Sequence, residues 1–379
     1  MAAVVFWTAL GVVVYVYVVF PVLLFVLAKL VPRPVRKAPI TPSVTMIIAA
    51  YNEEAVIAAK LENALALDYP PELLEILVAS DGSSDGTNAI VARYAPRVRL
   101  LAYARAGKTS AQNHAVQEAH GEILAFSDAS TMWDCGCLRA MVANFADPTV
   151  GSVQGGLRYV NESHEPTGKG RDLYWRYEAA MRGWESDIYS IIGVTGAVYA
   201  LRRALYEPLD PAAISDFVQP TRALLRGYRT VVEDGADAYE VTESKRLGDE
   251  LQRRARVVLR GTRGVTYMPE VVNPLRHPWL CTQVFSHRLL RWAVPLFMIA
   301  ALAANAFLVG TPGYTAFFLL QISLYCMALV ALALDRVEIR PPGFFVPLYF
   351  CLINVAPLIA LWMMLKGEKK ILWDTSTQA

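Results

Sequence analysis

The stretch Val44-Thr45-Met46-Ile47-Ile48-Ala49-Ala50 runs directly into Tyr51-Asn52-Glu53-Glu54. A short apolar run, partly β-branched and closed by polar residues, is the pattern of a buried strand. Helical spacing follows over residues 55–67, with Ile57, Leu61 and Leu65 at i, i+4 and i+8. A second strand over residues 74–79 ends at Ser80-Asp81-Gly82-Ser83-Ser84-Asp85-Gly86-Thr87. A helix through Ile90, Val91 and Tyr94 comes next, then a strand over 98–103 and a helix over 110–119. A fourth strand over 122–126 runs into Ser127-Asp128-Ala129-Ser130. Strands alternating with helices predict an α/β fold with a doubly wound, mostly parallel sheet. Ligands of such sheets sit at the carboxyl ends of the strands. Every polar cluster just named lies there.

Outside this region the chain changes character. Of its 379 residues 55% are hydrophobic and only 18% are charged, with a mean hydropathy of +0.32. Soluble domains carry about 25% charged residues, so the balance points to a membrane component. Charge is absent from residues 1–28, 293–334 and 341–365. A helix needs about 20 apolar residues to cross the hydrocarbon core. The first and third tracts each supply one span, and the second supplies two around Thr311-Pro312-Gly313, giving four. No basic residues precede the first tract; Lys29, Arg33, Arg36 and Lys37 follow it, as in a signal anchor rather than a cleaved leader. Positive-inside bias then puts residue 32 onward in the cytoplasm. Four full spans leave Lys366, Lys369 and Lys370 on the far side, against the same rule, and the four-span reading is kept. The expected division is an anchor over 1–31 and a cytoplasmic domain over 32–276. An amphipathic surface segment follows over 277–292, with His277 and His287 at the interface. Membrane helices over 293–366 and a tail over 367–379 complete it.

Other classes fall away on composition and motif. Thirty-six basic and 34 acidic residues leave a net charge of +2, too balanced for a nucleic-acid binder working by bulk charge. Five scattered cysteines make no disulfide framework, and Cys135-Gly136-Cys137 lacks the second pair a zinc site needs. There is no G-x-G-x-x-G and no P-loop; Gly107-Lys108-Thr109 imitates only the end of the latter. What the strand ends offer is carboxylates. These hold ribose hydroxyls, or a divalent cation that in turn grips a pyrophosphate.

Taken in order, Tyr51-Asn52-Glu53, Asp81-Gly82-Ser83-Ser84-Asp85-Gly86-Thr87, Gly107-Lys108 with Asn113, and Asp128-Ala129-Ser130 resemble family 2 of the inverting glycosyltransferases, of GT-A fold. The likeness continues through Trp175-Arg176-Tyr177-Glu178, Thr195-Gly196-Ala197-Val198-Tyr199-Ala200 and Asp216-Phe217. With one apolar helix before and about three after, the layout is similar to bacterial membrane-embedded polysaccharide-forming members. The resemblance implies that Tyr51 and Glu53 border the nucleotide base and ribose, that Asp81 bonds to one of them, and that Asp85 fixes its loop. It implies Lys108 near the diphosphate and Asp128, first aspartate of the family's D-x-D, facing Mg²⁺ or Mn²⁺. Ser130 stands where the second aspartate would be. Asp216 falls at the catalytic base, with Ser215 in place of its acidic neighbour, and Trp175, Glu178, Thr195 and Gly196 fall on the acceptor side. Arg253-Arg254-Ala255-Arg256-Val257 occupies the place of the Q-x-x-R-W of processive members. Arg253 and Arg256 still suit a pyrophosphate, while the missing tryptophan argues against polymerisation.

The resulting expectation is a multi-pass enzyme of the bacterial inner membrane with its catalytic domain in the cytoplasm. It moves a sugar from a nucleotide-diphosphate sugar, a UDP-sugar first, to a lipid-linked or growing surface-glycan acceptor. A processive synthase of the hyaluronan, chitin or cellulose type is one alternative. Another is a membrane scaffold that binds a nucleotide sugar without turnover, which would need no base such as Asp216. Plainer readings also stand beside single residues: Asp81 and Asp85 suit a turn, and Asp216 suits a helix cap. Trp175 and Glu178 suit helix packing, and the arginines suit anionic lipid headgroups.

Overall fold

The computed structural model describes residues 1–160, 169–241, 247–335 and 343–367. Its centre is one eight-stranded sheet, formed by β1 (Val44–Ala50), β2 (Leu74–Asp81), β3 (Arg99–Tyr103), β4 (Ile123–Asp128), β5 (Thr131–Trp133), β6 (Val150–Val160), β7 (Val198–Arg202) and β8 (Arg229–Val241). The spatial order is β3-β2-β1-β4-β7-β6-β8-β5. The first four strands are parallel to their neighbours; β7 then pairs antiparallel with both β4 and β6, β8 parallel with β6, and β5 antiparallel with β8. The sheet is therefore mixed beyond β4.

All seven residues of β1 are buried, because helices cover both faces of the sheet. Met46 and Ile48 pack on one side with Ile57 and Leu61 of the helix Ile57–Leu65 and with Leu138 and Met141 of Cys137–Ala143. Ile47 packs on the other, with Phe126 and with Ala111 and Ala115 of the helix Lys108–Gln117. Alternation with period two thus serves two cores at once. The register aligns the strand ends: Ala49 faces Asp128, Ala50 faces Ser80, and Asp81 faces Tyr103. The polar termini of β1, β2 and β4 therefore stand side by side, at the roughly 4.8 Å spacing of paired strands.

Among the described residues, four helices are long and apolar enough to cross a membrane: Ala2–Leu30, Pro278–Ala306, Pro312–Asp335 and Phe345–Leu365. The second corrects an expectation. Residues 277–292 do not form a separate surface segment; His277 is the N-cap, and residues 278–292 are the first half of the helix Pro278–Ala306. His287 packs inside the protein. It is 4% exposed, and its Nδ1 lies 2.8 Å from Glu185 Oε1. Arg291 donates to Glu178 at 2.7 Å and Arg288 to the Ile192 carbonyl at 3.1 Å. Glu178 and Glu185 of the helix Lys169–Ile188 thus meet Arg291 and His287 of this segment. Of the expected tail, residues 368–379, with Lys369 and Lys370, lie outside the described residues.

Candidate functional site

At the ends of β1 and β2 two loops are laced together. Asn52 adopts a left-handed conformation (φ 53°), rare without glycine, and its Oδ1 accepts from the Ser84 N–H at 2.8 Å. The Glu53 N–H donates to Thr87 Oγ1 at 2.8 Å, and the Glu54 N–H to Asp85 Oδ2 at 3.1 Å. Asp85 also accepts from the Thr87 N–H at 3.0 Å and hydroxyl at 2.6 Å. Burial opposes its ionisation, but these hydrogen bonds prevail and hold its carboxyl below the usual range. Asp85 is therefore committed to the loop.

Asp81 is likewise engaged. Fully buried, it accepts from the N–H groups of Ala106 at 2.7 Å and Gly107 at 2.9 Å, and pairs with Arg105 at 2.9 Å. Gly107 sits at φ +98°, a conformation natural to glycine, so its N–H can turn toward Asp81 just before the helix bearing Lys108. The Arg105 guanidinium stacks 3.1 Å from the centroid of the Tyr51 ring. A flat cation lying on an aromatic face makes a platform the size of a nucleobase. Sequence reasoning passed over Arg105.

Lys108 ion-pairs with Asp128, which stands at the end of β4 and is partly exposed. Glu53 titrates high, at about 7, first because it is buried and then because Asp128, Glu240 and Asp85 add negative charge. Glu240, from β8, lies opposite Thr131 and accepts from Ser130 Oγ at 3.4 Å. A carboxylate thus stands beside the position where the D-x-D pattern lost its second aspartate. Mg²⁺ and Mn²⁺ take oxygen ligands and often share them with substrate phosphates. No group of three or more His, Cys, Asp or Glu among the described residues is placed to hold a metal by itself. Asp128, with Glu53 and Glu240 near it, has the right chemistry for an ion shared with a diphosphate.

Asp216 opens the helix Ser215–Leu225 but does not cap it: the N-cap is Ile214, without a side-chain cap bond. Burial pushes its carboxyl up from the ordinary value, against the pull of Lys108 and Arg260. Its carbonyl accepts from the Val194 N–H at 2.8 Å, and its side chain lies against Gly196 so closely that a Cβ there would meet Oδ2 at 2.5 Å. The Thr195 N–H donates to Gln154 Oε1 at 2.9 Å, and Trp133 Nε1 to the Ala197 carbonyl at 3.1 Å. Those bonds pin the Thr195–Ala197 loop to β6 and to the segment following Asp128.

Asp216 lines a cavity of about 310 Å³ with Arg182, Arg253, Arg256, Arg260 and Arg288. Arg253, Arg256 and Arg260 follow one another at i, i+3 and i+7 on the helix Leu247–Thr266, a spacing that places them on one face. Trp175 and Glu178 line an adjoining cavity of about 160 Å³, bounded also by Arg182, Arg253 and Arg288. The buried Glu178 pairs with Arg291 at 2.7 Å and Arg182 at 3.5 Å. Burial would raise its carboxyl, but these cations and His287 hold it well below the usual range. The expected residues thus fall into two groups. Tyr51, Glu53, Asp81, Asp85, Lys108 and Asp128 share the strand ends. Arg253 and Arg256, assigned to the donor, line the cavity of Asp216.

A doubly wound sheet with an acid-rich strand-end site, closed by an antiparallel extension carrying a further carboxylate, is the arrangement of a GT-A fold. Residues 45–209 match the family model described as glycosyl transferase family 2. It is 34% identical over 128 residues to a β-monoglucosyldiacylglycerol synthase of Synechocystis sp., covering 32% of this chain and 27% of that protein. It is 33% identical over 124 residues to a poly-β-1,6-N-acetyl-D-glucosamine synthase of Staphylococcus aureus, covering 32% and 30%. The chain thus spans less than a third of either relative in these matches. A mannosyltransferase of Pyrobaculum calidifontis, solved with GDP-Man and Mn²⁺, superposes with a TM-score of 0.71 over 97% of this chain and 98% of that one, at 23% identity. That likeness extends the shared fold through the apolar helices.

Proposed function

We propose that the protein is an inverting transferase that moves a sugar from a nucleotide-diphosphate sugar, a UDP-sugar being the first to test, onto a lipid-linked or surface-glycan acceptor. In this reading it lies in the bacterial inner membrane with the sheet domain in the cytoplasm. The observation that carries it is the position of Asp216. It lies against the Thr195–Ala197 loop, within the electrostatic reach of Lys108 and Asp128, and lines a cavity bounded by a membrane helix.

The base stacks against the Arg105–Tyr51 platform, and Glu53 accepts from the ribose hydroxyls. Asp81 acts through the loop it holds rather than by touching the donor. Lys108 turns from Asp128 to the diphosphate. Asp128, with Glu53 and Glu240 beside it, would hold Mg²⁺ or Mn²⁺, which neutralises charge on the departing diphosphate. Asp216, kept basic by burial, takes the proton from the acceptor hydroxyl as that oxygen attacks the anomeric carbon from the opposite face.

The test is nucleoside-diphosphate release in lipid nanodiscs across a panel of nucleotide sugars, with bacterial lipid extract as acceptor. Asp216→Asn should abolish release and leave donor affinity within about twofold. Equal turnover in Asp216→Asn would remove the base assignment.

A further inference from the structure

The cavity beside Asp216 carries more positive charge than one donor needs. Five arginines and one carboxylate line it, and the adjoining cavity adds Arg254, Arg291 and Glu178. A diphosphate clamped by Arg253 and Arg256 would leave Arg260 beside Asp216, while Arg182 reaches Glu178 at 3.5 Å and Arg288 the Ile192 carbonyl at 3.1 Å. Several buried donors there have no partner among the described residues: Arg260 Nε, Arg291 Nη2 and Trp175 Nε1. A buried donor without an acceptor is costly, so such a group is expected to meet a ligand or water.

The second cavity continues into a third space of about 290 Å³, lined almost wholly by apolar atoms. Tyr17 of the first membrane helix, Tyr174 and Arg291 border both. Val346, Phe350 and Ile353 of the last helix complete the apolar wall. An arginine-rich chamber at the reacting centre thus leads, past Arg291, to a greasy opening between the first and last membrane helices. That is the shape and charge of an amphiphile with an anionic head.

We infer that the acceptor is a membrane lipid bearing a phosphate in its headgroup, held by Arg260, Arg288 and Arg291, its chain lying between the helices Ala2–Leu30 and Phe345–Leu365. The inference rests on the reading under Proposed function and narrows it: the diacylglycerol and neutral-glycan classes of acceptor carry no such anion. A headgroup hydroxyl forms the new bond to the anomeric carbon. The bond from that carbon to the diphosphate oxygen breaks, its electron pair leaves with the nucleoside diphosphate, and the hydroxyl proton goes to Asp216.

The direct test is lipid retention by the full chain, read by native mass spectrometry after exchange into detergent with equimolar dioleoylphosphatidylglycerol and dioleoylglycerol. Wild type should retain the phosphate lipid in preference, and Arg260→Gln combined with Arg291→Gln should lose that preference by about tenfold. Donor affinity, titrated separately, should stay within about twofold. Equal retention of the two lipids by wild type would overturn the inference. So would a double variant that loses donor affinity and keeps lipid preference, since the arginines would then serve the donor alone. Release from Asp216→Asn matching wild type would instead defeat the broader reading, and lipid retention would still decide this one.

Discussion

Gly196 offers the sharpest perturbation of the proposed chemistry, because it touches Asp216 and has no side chain of its own. A Cβ on residue 196 would lie 2.5 Å from Asp216 Oδ2, and 3.2 Å from both its Cβ and Cγ. Ordinary contact begins at 3.4 Å, so the carboxylate must retreat by about 0.9 Å, the difference between 3.4 and 2.5 Å. The backbone at 196 is not in the left-handed region, so alanine brings no conformational strain of its own. What gives way is the end of a side chain. A misplacement near 1 Å in a reacting group costs on the order of 10²-fold in rate, or about 2.7 kcal/mol of barrier. Gly196→Ala should therefore lower kcat about 100-fold, with donor affinity unchanged and the thermal midpoint within about 2 °C of wild type. Single-turnover transfer under saturating donor measures the chemical step alone. A rate within threefold of wild type, in a protein that binds donor normally, would show that the Asp216 carboxylate is not where the reaction occurs.

Three further outcomes follow from the same geometry. Glu53, at about 7, is ionised above that pH and protonated below it; donor affinity should fall by up to tenfold per pH unit below 7, and Glu53→Gln should flatten the profile. Asp128→Ala should remove the metal dependence of donor binding, checked by titrating nucleotide with and without Mn²⁺; an unchanged Mn²⁺ effect would take Asp128 out of the metal site. Lys60 is fully buried, donates to the Thr131 carbonyl at 2.5 Å, and titrates at about 7 because burial disfavours its charge. The cost of its charge is complete below 7 and fades as pH rises toward 10.5, so the thermal midpoint of wild type should gain on Lys60→Met between pH 7 and 10.

The strand ends were legible because chemistry and folding pattern coincide there: a polar cluster that ends a buried apolar run must lie at an edge of the sheet. Asp81, Asp85 and Asp128 all follow that rule. Their division of labour did not follow from it, since Asp81 and Asp85 are both spent on backbone N–H groups of neighbouring loops. Glu240 was invisible for a different reason. It is 110 residues from Ser130, and only the pairing of β5 with β8 brings them together. Arg260 carried a readable signal, a third arginine on the face of Arg253 and Arg256. Arg182 and Arg288 carried none, because each comes from another helix. Residues 277–292 read as a separate segment because their mixed basic and apolar pattern does not show that the helix runs on unbroken to Ala306. Glu178 and Glu185, about a hundred positions upstream, are the carboxylates that meet Arg291 and His287 there.

The interleaving of β8 limits how this molecule can be cut. The family match stops at residue 209, yet β6 pairs with β8, which spans Arg229–Val241, and β5 pairs with β8 as well. A fragment ending with the match would leave β6 with an open flank on that side and β5 with no partner in the sheet. Exposed long edges recruit other chains and precipitate. A water-soluble version must therefore run through Val241, and it will still carry the surfaces that the helices Ala2–Leu30 and Pro278–Ala306 now cover. Polar replacements at Met181 and Ile188, which pack under the first of these, are the sites to engineer before such a fragment is expressed.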